Sequence, residues 1–172
     1  MSLPAGRTAA ALDVEALYRE CRDDIYAYVA TLLRDPAAAE DATAAAFERA
    51  FRRRTTYRPR RGSPRAWLFG IARNAALDEL RRRRRTAALA ADPEDAEAVS
   101  APDAADDAAR RATVRAGLAR LDARDRELVA LKFYAGLTNA ELARVLGISE
   151  ANAGTRLHRA VTRLRKACHA TP

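Results

Sequence analysis

The sequence predicts an all-α protein of two small helical domains, a three-helix N-terminal bundle and a C-terminal helix-turn-helix domain, joined by a flexible acidic linker. Three observations predict it. Apolar residues recur at helical spacing, whereas alternating β-branched runs are absent. Alanine, the best helix former, is abundant, while glycine and proline number only seven each. Charge is laid out in blocks: residues 1–85 carry 18 basic and 11 acidic side chains, 86–109 carry none and seven, and 110–172 carry 13 and five.

Residues 1–12 lack periodicity and are expected to form a loose tail. From Asp13, residues Val14, Leu17, Tyr18, Cys21, Ile25, Tyr28, Val29 and Leu32 keep helical spacing, so a first helix runs to about Leu33. Asp35-Pro36 supplies a cap and a first-turn proline for a second helix through Phe47 and Phe51 to Arg54. Pro59 and Gly62 then break the pattern in a basic loop, TTYRPRRG, where Tyr57 sits among Arg58, Arg60 and Arg61.

Ser63 and Pro64 open the third helix, residues 63–85. Trp67, Leu68, Ile71, Ala75 and Leu80 share one stripe, and Arg65, Arg73, Asn74, Asp78, Arg81 and Arg84 lie around the rest, ending in five consecutive arginines. Taken alone, that stretch reads equally well as a nucleic-acid surface or as a core stripe with a solvated basic end. The three helices make one domain, residues 13–85.

Residues 86–109 are rich in Ala, Asp, Glu and Pro and cannot supply a core. Fully extended, a linker of about 23 residues reaches roughly 75 to 80 Å, long enough to let two domains sit well apart. The second domain, residues 110–169, begins with a helix carrying Val114, Leu118 and Leu121, and Asp122 caps another that stops at Gly136. Thr138-Asn-Ala-Glu141 is a capping-box pattern before a short helix that Gly147 ends. Ser149 caps the last helix. This helix, tight turn and longer basic helix is the arrangement that lays a recognition helix in the major groove. Leu142, Val145, Ile148 and Leu157 pack the pair, leaving Glu150, Asn152, Thr155, Arg156, Arg159 and Arg163, with the cap Ser149, to face DNA. Asn152 and Arg156 have the donor and acceptor sets for bidentate contacts to adenine and guanine.

The net charge of +8 and pI of about 10.3 favour a polyanionic partner, and 29 of the 31 basic residues are arginine, whose fork suits phosphates and base edges. No run approaches the ~18 apolar residues of a membrane span, and no apolar signal core opens the chain, so a cytoplasmic protein without membrane insertion is expected. Cys21 and Cys168 form no metal or redox pattern, and His158 and His169 have no partner ligands in sequence, so no metal or cofactor is called. No catalytic motif is present, so the chain is not read as an enzyme.

Three blocks, AEDATAAAFERAF at 39–51, SPRAWLFGIARNAALDELRRRRR at 63–85 and LTNAELARVLGISEANAGTRLHRAVTRLR at 137–165, resemble the extracytoplasmic-function sigma factors of bacterial RNA polymerase. The second block is the most specific, through the spacing of its Trp, Leu, Ile, Arg, Asn, Asp and Arg. The resemblance implies that residues 13–85 are sigma region 2, which recognises and melts the promoter minus-10 element. It further implies that residues 110–169 are region 4, which reads the minus-35 element and meets the polymerase β flap. Glu40, Asp41, Phe47 and Glu48 would contact the β′ clamp helices of core RNA polymerase. Tyr57, Arg58, Arg60, Arg61, Ser63, Trp67, Arg73 and Asn74 would handle the opened minus-10 strand, and Arg81 to Arg85, Arg84 among them, would hold duplex phosphates. The linker would run through the polymerase as an acidic mimic of nucleic acid until RNA displaces it. An anti-sigma factor is a further candidate partner. Two departures stand out: Ala44 to Ala46 where the family carries polar residues, and Gly154 inside the recognition helix. The competing reading is a stand-alone helix-turn-helix regulator, which leaves the Trp67 block without a purpose.

Overall fold

The computed structural model describes residues 12–89 and 105–169, all helices and turns. Helix α1 (Val14–Leu33) starts where the Asp13 carboxylate accepts the Ala16 N–H at 3.0 Å. It ends with Arg34 in the left-handed conformation, φ 55°, donating its N–H to the Ala30 carbonyl. Asp35 repeats the device for α2 (Pro36–Arg53), accepting from Ala38 N–H at 3.1 Å with proline in the first turn. The basic loop folds as two 3-10 turns, Arg54–Thr56 and Pro59–Arg61. Then follow α3 (Pro64–Leu89), α4 (Ala105–Ala119), α5 (Ala123–Ala135), α6 (Asn139–Leu146) and α7 (Glu150–His169).

Helix α3 runs four residues past the expected domain end, and α4 begins inside the expected linker, because the alanines flanking the acidic centre propagate both helices. The acidic core of that stretch, residues 90–104, lies outside the described residues, as do residues 1–11 and 170–172.

In the first domain α2 packs on α3 through small side chains: Ala39, Ala46 and Ala50 of α2 and Ala72 and Ala76 of α3 are fully buried. Alanine lets the helices approach closely, and the larger Tyr28 and Phe69 rings, 5.5 Å apart, fill the centre. In the second domain α4 closes on α7 at Gly117, where an added Cβ would lie 2.8 Å from Cys168 Sγ and 2.9 Å from Leu164 Cδ1. The Arg126 guanidinium caps the end of α4 by donating to the carbonyls of Leu118 at 2.9 Å and Leu121 at 2.7 Å.

The domains do not sit apart. Helix α5 lies along α1, α6 meets the start of α3, and Leu128, Leu131, Leu137 and Leu142 join the same core as Ile25, Leu68 and Phe69. This second covering explains why α3 buries more than one stripe: Ala66, Phe69, Ala72 and Ala76 are inside along with Leu68, Ile71 and Ala75. The linker length permits separation, but the apolar face of α5 needs cover, and α1 supplies it.

The shared core predicts a sharp contrast within one helical turn of α5. Leu131→Ala should lower the unfolding free energy by about 2–5 kcal/mol in urea denaturation. Phe133→Ala, whose side chain is 65% exposed, should change it by less than about 0.5 kcal/mol.

Candidate nucleic-acid interface

The basic loop and the start of α3 form one wall of a cleft of about 360 Å³. Tyr57 is fixed by donating its hydroxyl to the Gly62 carbonyl at 3.0 Å, and its ring meets Trp67 edge to face at 5.8 Å. Gly62 adopts φ 135°, a conformation other residues reach only with strain, and this turns the loop into Ser63. Ser63 Oγ then accepts the Ala66 N–H at 3.2 Å, so the expected N-cap of α3 is formed. Tyr57, Arg58, Arg61, Trp67 and Asn74 line the cleft, and the opposite wall is Glu141, Arg144 and Val145 of α6. Arg58, Arg60 and Arg61 are exposed, as is Asn74; Trp67 is half-buried at the cleft floor.

Arg73 departs from its expected setting. It turns away from the cleft and pairs with Glu127 of α5 at 2.7 Å, with side-chain exposures of 23% and 12%. Tyr28 donates to the same carboxylate at 3.4 Å, and burial raises its pKa well above the usual tyrosine value. Neighbouring helix positions differ by about 100°, which is why Asn74 faces the cleft when Arg73 does not.

The arginine run divides by function of position. Arg83 reaches back to Asp35 at 2.7 Å, tying the cap of α2 to α3, and also pairs with Glu79. Arg82 pairs with Glu79 at 2.8 Å, and Arg81 lies 3.3 Å from Asp78. Arg84 and Arg85 are exposed and form no ion pair among the described residues. Hydrogen bonds from Arg82 and then Arg83 pull the Glu79 carboxyl from 4.5 down to about 2, against a smaller upward push from burial.

On α2, Glu40 and Asp41 diverge. Glu40 is 3.6 Å from Arg22 of α1, whereas Asp41 lines a groove facing Arg82 and Arg85 of α3. Glu48 is exposed and pairs with Arg52. Phe47 is buried against Tyr18, with ring centroids 4.9 Å apart, so it supports this face from beneath. Phe51, one turn on, is 57% exposed with the Arg54 guanidinium 4.3 Å from its ring; helical spacing alone did not separate the two phenylalanines. Of the three alanines, Ala46 is core, Ala45 is half-buried and Ala44 is exposed.

The helix-turn-helix forms as expected. Thr138 and Glu141 make the reciprocal capping box, and Gly147 closes α6 at φ 67°. Ser149 Oγ accepts the Asn152 N–H at 3.2 Å, and Ser149, Glu150, Asn152, Thr155 and Arg159 are exposed while Arg156 is half-buried. Arg163 turns back to hydrogen-bond Asp125 and lies 3.7 Å from Asp122, so it braces α7 against α5. Gly154 faces α6, where an added Cβ would stand 3.4 Å from Asn139 Nδ2, an ordinary contact, so the crossing does not demand glycine.

Three residues escaped the sequence reading as site components. Arg65 donates from Nε to the Ala135 carbonyl and from Nη2 to the Tyr134 carbonyl, both at 2.7 Å, and also pairs with Asp24. Glu127 holds Arg73. Glu141, legible only as a capping residue, also accepts from Ser63, 78 positions away. Among the described residues no three His, Cys, Asp or Glu side chains gather as for a metal, and no helix is long and apolar enough to cross a membrane.

Two expected outcomes follow from the arginine run. Arg83→Ala should cost roughly 0.5–1 kcal/mol in denaturation, as a partly exposed bridge anchoring a helix cap does. Arg84→Ala should cost nothing measurable. Because folding lowers the Glu79 pKa, its contribution is fully present above about 4.5 and drains away as pH falls toward about 2. The stability gap between wild type and Glu79→Gln, measured by thermal melts, should therefore be widest near neutrality and close as pH falls through that window.

Comparison with known proteins places these features. The model of Sigma-70 region 2 matches residues 17–86, and that of Sigma-70 region 4 matches residues 111–164. The ECF RNA polymerase sigma factor SigL of Mycobacterium tuberculosis is 34% identical over 96% of this chain and 94% of its own length. SigK of Mycolicibacterium vanbaalenii is 31% identical over 93% and 85%. The fold is that of the sigma factor RpoE bound to the anti-sigma factor NepR from Bartonella quintana, with a TM-score of 0.80 at 22% identity over 93% of this chain and 99% of that one. CnrH bound to the cytosolic domain of CnrY aligns with a TM-score of 0.65 at 25% identity over 92% and 89%. A helix-turn-helix on α6 and α7, family models matched in both halves and relatives matched over nearly the whole chain lead to one conclusion: this protein belongs to the extracytoplasmic-function sigma factors of RNA polymerase.

Proposed function

We propose a division of labour for this sigma factor in which each half of the chain meets a different form of DNA. The protein acts by binding: it joins core RNA polymerase, recognises the minus-35 and minus-10 elements and starts promoter melting. The observation that carries the residue assignment is the cleft itself, where an aromatic pair, Tyr57 and Trp67, stands beside Arg58, Arg61 and the exposed amide of Asn74. An unstacked base needs a π surface and its phosphates need cations, and this cleft offers both. Residues 13–85 thus take the opened minus-10 strand. Arg60, Arg81, Arg84 and Arg85 hold phosphates around it, setting affinity rather than sequence choice.

Residues 110–169 take the minus-35 duplex, with Ser149, Glu150, Asn152, Thr155, Arg156 and Arg159 on the reading face and Arg163 in a bracing role. The outer face of α2, with Glu40, Asp41, Glu48 and the exposed Phe51, meets the β′ clamp helices, and the second domain meets the β flap. Residues 90–104, with their acidic side chains, span the polymerase between the domains. The solved relatives bound to NepR and CnrY support an anti-sigma factor as the controlling partner, and an action on polymerase places the protein in the cytoplasm. A stand-alone helix-turn-helix regulator has no use for a region 2 spanning residues 17–86.

Run-off transcription with purified core polymerase, on promoters selected from genomic fragments, tests this reading. Wild type should produce transcripts. Asn74→Ala should cut open-complex formation about tenfold or more at unchanged polymerase affinity. Neutralising Arg84 and Arg85 should weaken promoter binding on all sequences and lower the salt slope by about one per lost phosphate contact. Duplex binding without any polymerase-dependent transcript would return the protein to the stand-alone regulators.

A further inference from the structure

Arginine stands two and three residues before five hydroxyl side chains, those of Thr55, Thr56, Ser63, Thr86 and Thr113. A protein kinase with an acidic substrate groove reads that spacing, but in a chain this rich in arginine the pattern alone selects nothing. The fold separates the five. Thr86 and Thr113 lie inside α3 and α4, where a helical backbone cannot extend through a kinase cleft, and the Thr86 hydroxyl donates to the Arg82 carbonyl at 3.1 Å. Ser63 is half-buried, and its hydroxyl is occupied by the cap of α3 and by Glu141. The Thr56 hydroxyl donates to the Arg53 carbonyl at 2.7 Å and closes its own turn. Thr55 alone is exposed, outside an α-helix, and carries a hydroxyl that makes no hydrogen bond among the described residues. Its single 3-10 turn, Arg54–Thr56, is an element of poorer hydrogen-bond geometry than an α-helix and opens at lower cost.

The surroundings suit a phosphate. Arg58 Nη1 donates to the Thr55 carbonyl at 2.9 Å, which brings a guanidinium beside this residue. Arg53, Arg54 and Arg58 form no ion pair among the described residues, whereas Arg52 before them and Arg65 after them each take a carboxylate. Positive charge around Thr55 is therefore uncompensated. Arg53 and Arg58 also line the cleft that holds Tyr57 and Trp67.

We propose that Thr55 is the acceptor for a basophilic protein kinase and that its phosphate shuts the cleft to the opened strand by taking Arg53 and Arg58. The γ-phosphoryl group of magnesium-bound ATP passes to Thr55 Oγ1. The Oγ1–phosphorus bond forms, the bond to the β,γ-bridging oxygen breaks, ADP departs, and the hydroxyl proton goes to the base of the kinase. The product adds roughly −1.5 to −2 charge and three strong acceptor oxygens. Charge-assisted hydrogen bonds from the neighbouring guanidiniums hold it, and the same donors are then lost to strand phosphates. The reading face of α7 carries none of these residues, so duplex recognition is spared. The regulatory consequence rests on the assignment of the cleft to the opened strand; the acceptor site does not.

The test treats the full chain with magnesium-ATP and the catalytic subunit of a cyclic-AMP-dependent protein kinase. Fragmentation of the intact protein in a mass spectrometer locates the phosphate, and the treated chain is then assembled with core polymerase. Wild type should gain one phosphate at Thr55, Thr55→Val none, and Thr55→Ser should regain it. Phosphorylated wild type should give about tenfold fewer run-off transcripts than the untreated chain, with duplex affinity by anisotropy changed less than twofold. Treated Thr55→Val should transcribe like untreated Thr55→Val. Phosphate at Thr56, Ser63, Thr86 or Thr113 in place of Thr55 overturns the site, and so does no incorporation into a chain that circular dichroism shows folded. Full transcription by the phosphorylated chain, or an equal loss of duplex affinity, overturns the regulation. Failure of untreated wild type to transcribe would instead sink the functional reading and leave the acceptor site to stand on the mass spectrum.

Discussion

One carboxylate caps two helices in two domains. Glu141 Oε2 accepts the Thr138 N–H at 3.1 Å to complete the start of α6, and its Oε1 takes the Ser63 N–H at the start of α3. Every helix begins with main-chain donors that its own turns cannot satisfy, so each start must find an acceptor or water. Sharing one acceptor between two starts fixes the position of α6 over the cleft and with it the wall formed by Arg144 and Val145. Burial pushes the Glu141 carboxyl upward, but hydrogen bonds from Ser63 and Thr138 outweigh it and leave the pKa below the ordinary glutamate value. The carboxylate therefore stays ionised through the physiological range and keeps its acceptor role at both helix starts.

Around that point the protein uses its large positive charge unequally. Arg65, Arg73, Arg83 and Arg126 are drawn inward to carboxylates or helix-end carbonyls, and the exposed Arg163 reaches the Asp125 carboxylate, so that all five hold elements together. Arg58, Arg60, Arg84, Arg85 and Arg159 stay at the surface. A guanidinium with five donors can brace a helix end and still lie beside a phosphate path, so one residue type serves both needs. A net charge of +8 thus overstates the cations standing ready for DNA, because much of the arginine chemistry is internal.

The fold was legible wherever its determinants are close in sequence. Asp13, Asp35, Asp122, Thr138 and Ser149 cap helices three residues on, and Gly136 and Gly147 end two of them in left-handed turns, so these helices and the helix-turn-helix follow from short patterns. The α3 block and the aromatic within the basic loop were equally plain, since Tyr57 and Trp67 belong to one continuous stretch. Phe47 and Phe51 show the limit of that reading. They stand four positions apart on the same helix, and only the place of Tyr18 on α1 makes one core and the other surface.

By itself, then, the sequence determined the helices, their caps, the two-domain family pattern and the chemistry available to the cleft, because those depend on neighbours within a turn or two. Only the tertiary structure decided which arginines are free, which are braces, and that the second domain covers the first. Ser63 to Glu141, Arg65 to Ala135 and Arg73 to Glu127 span 78, 70 and 54 positions. No periodicity reports such pairs. They follow from the packing of α5 against α1 and of α6 against α3, which brings donors and acceptors from distant segments into one part-buried interface where each finds a partner.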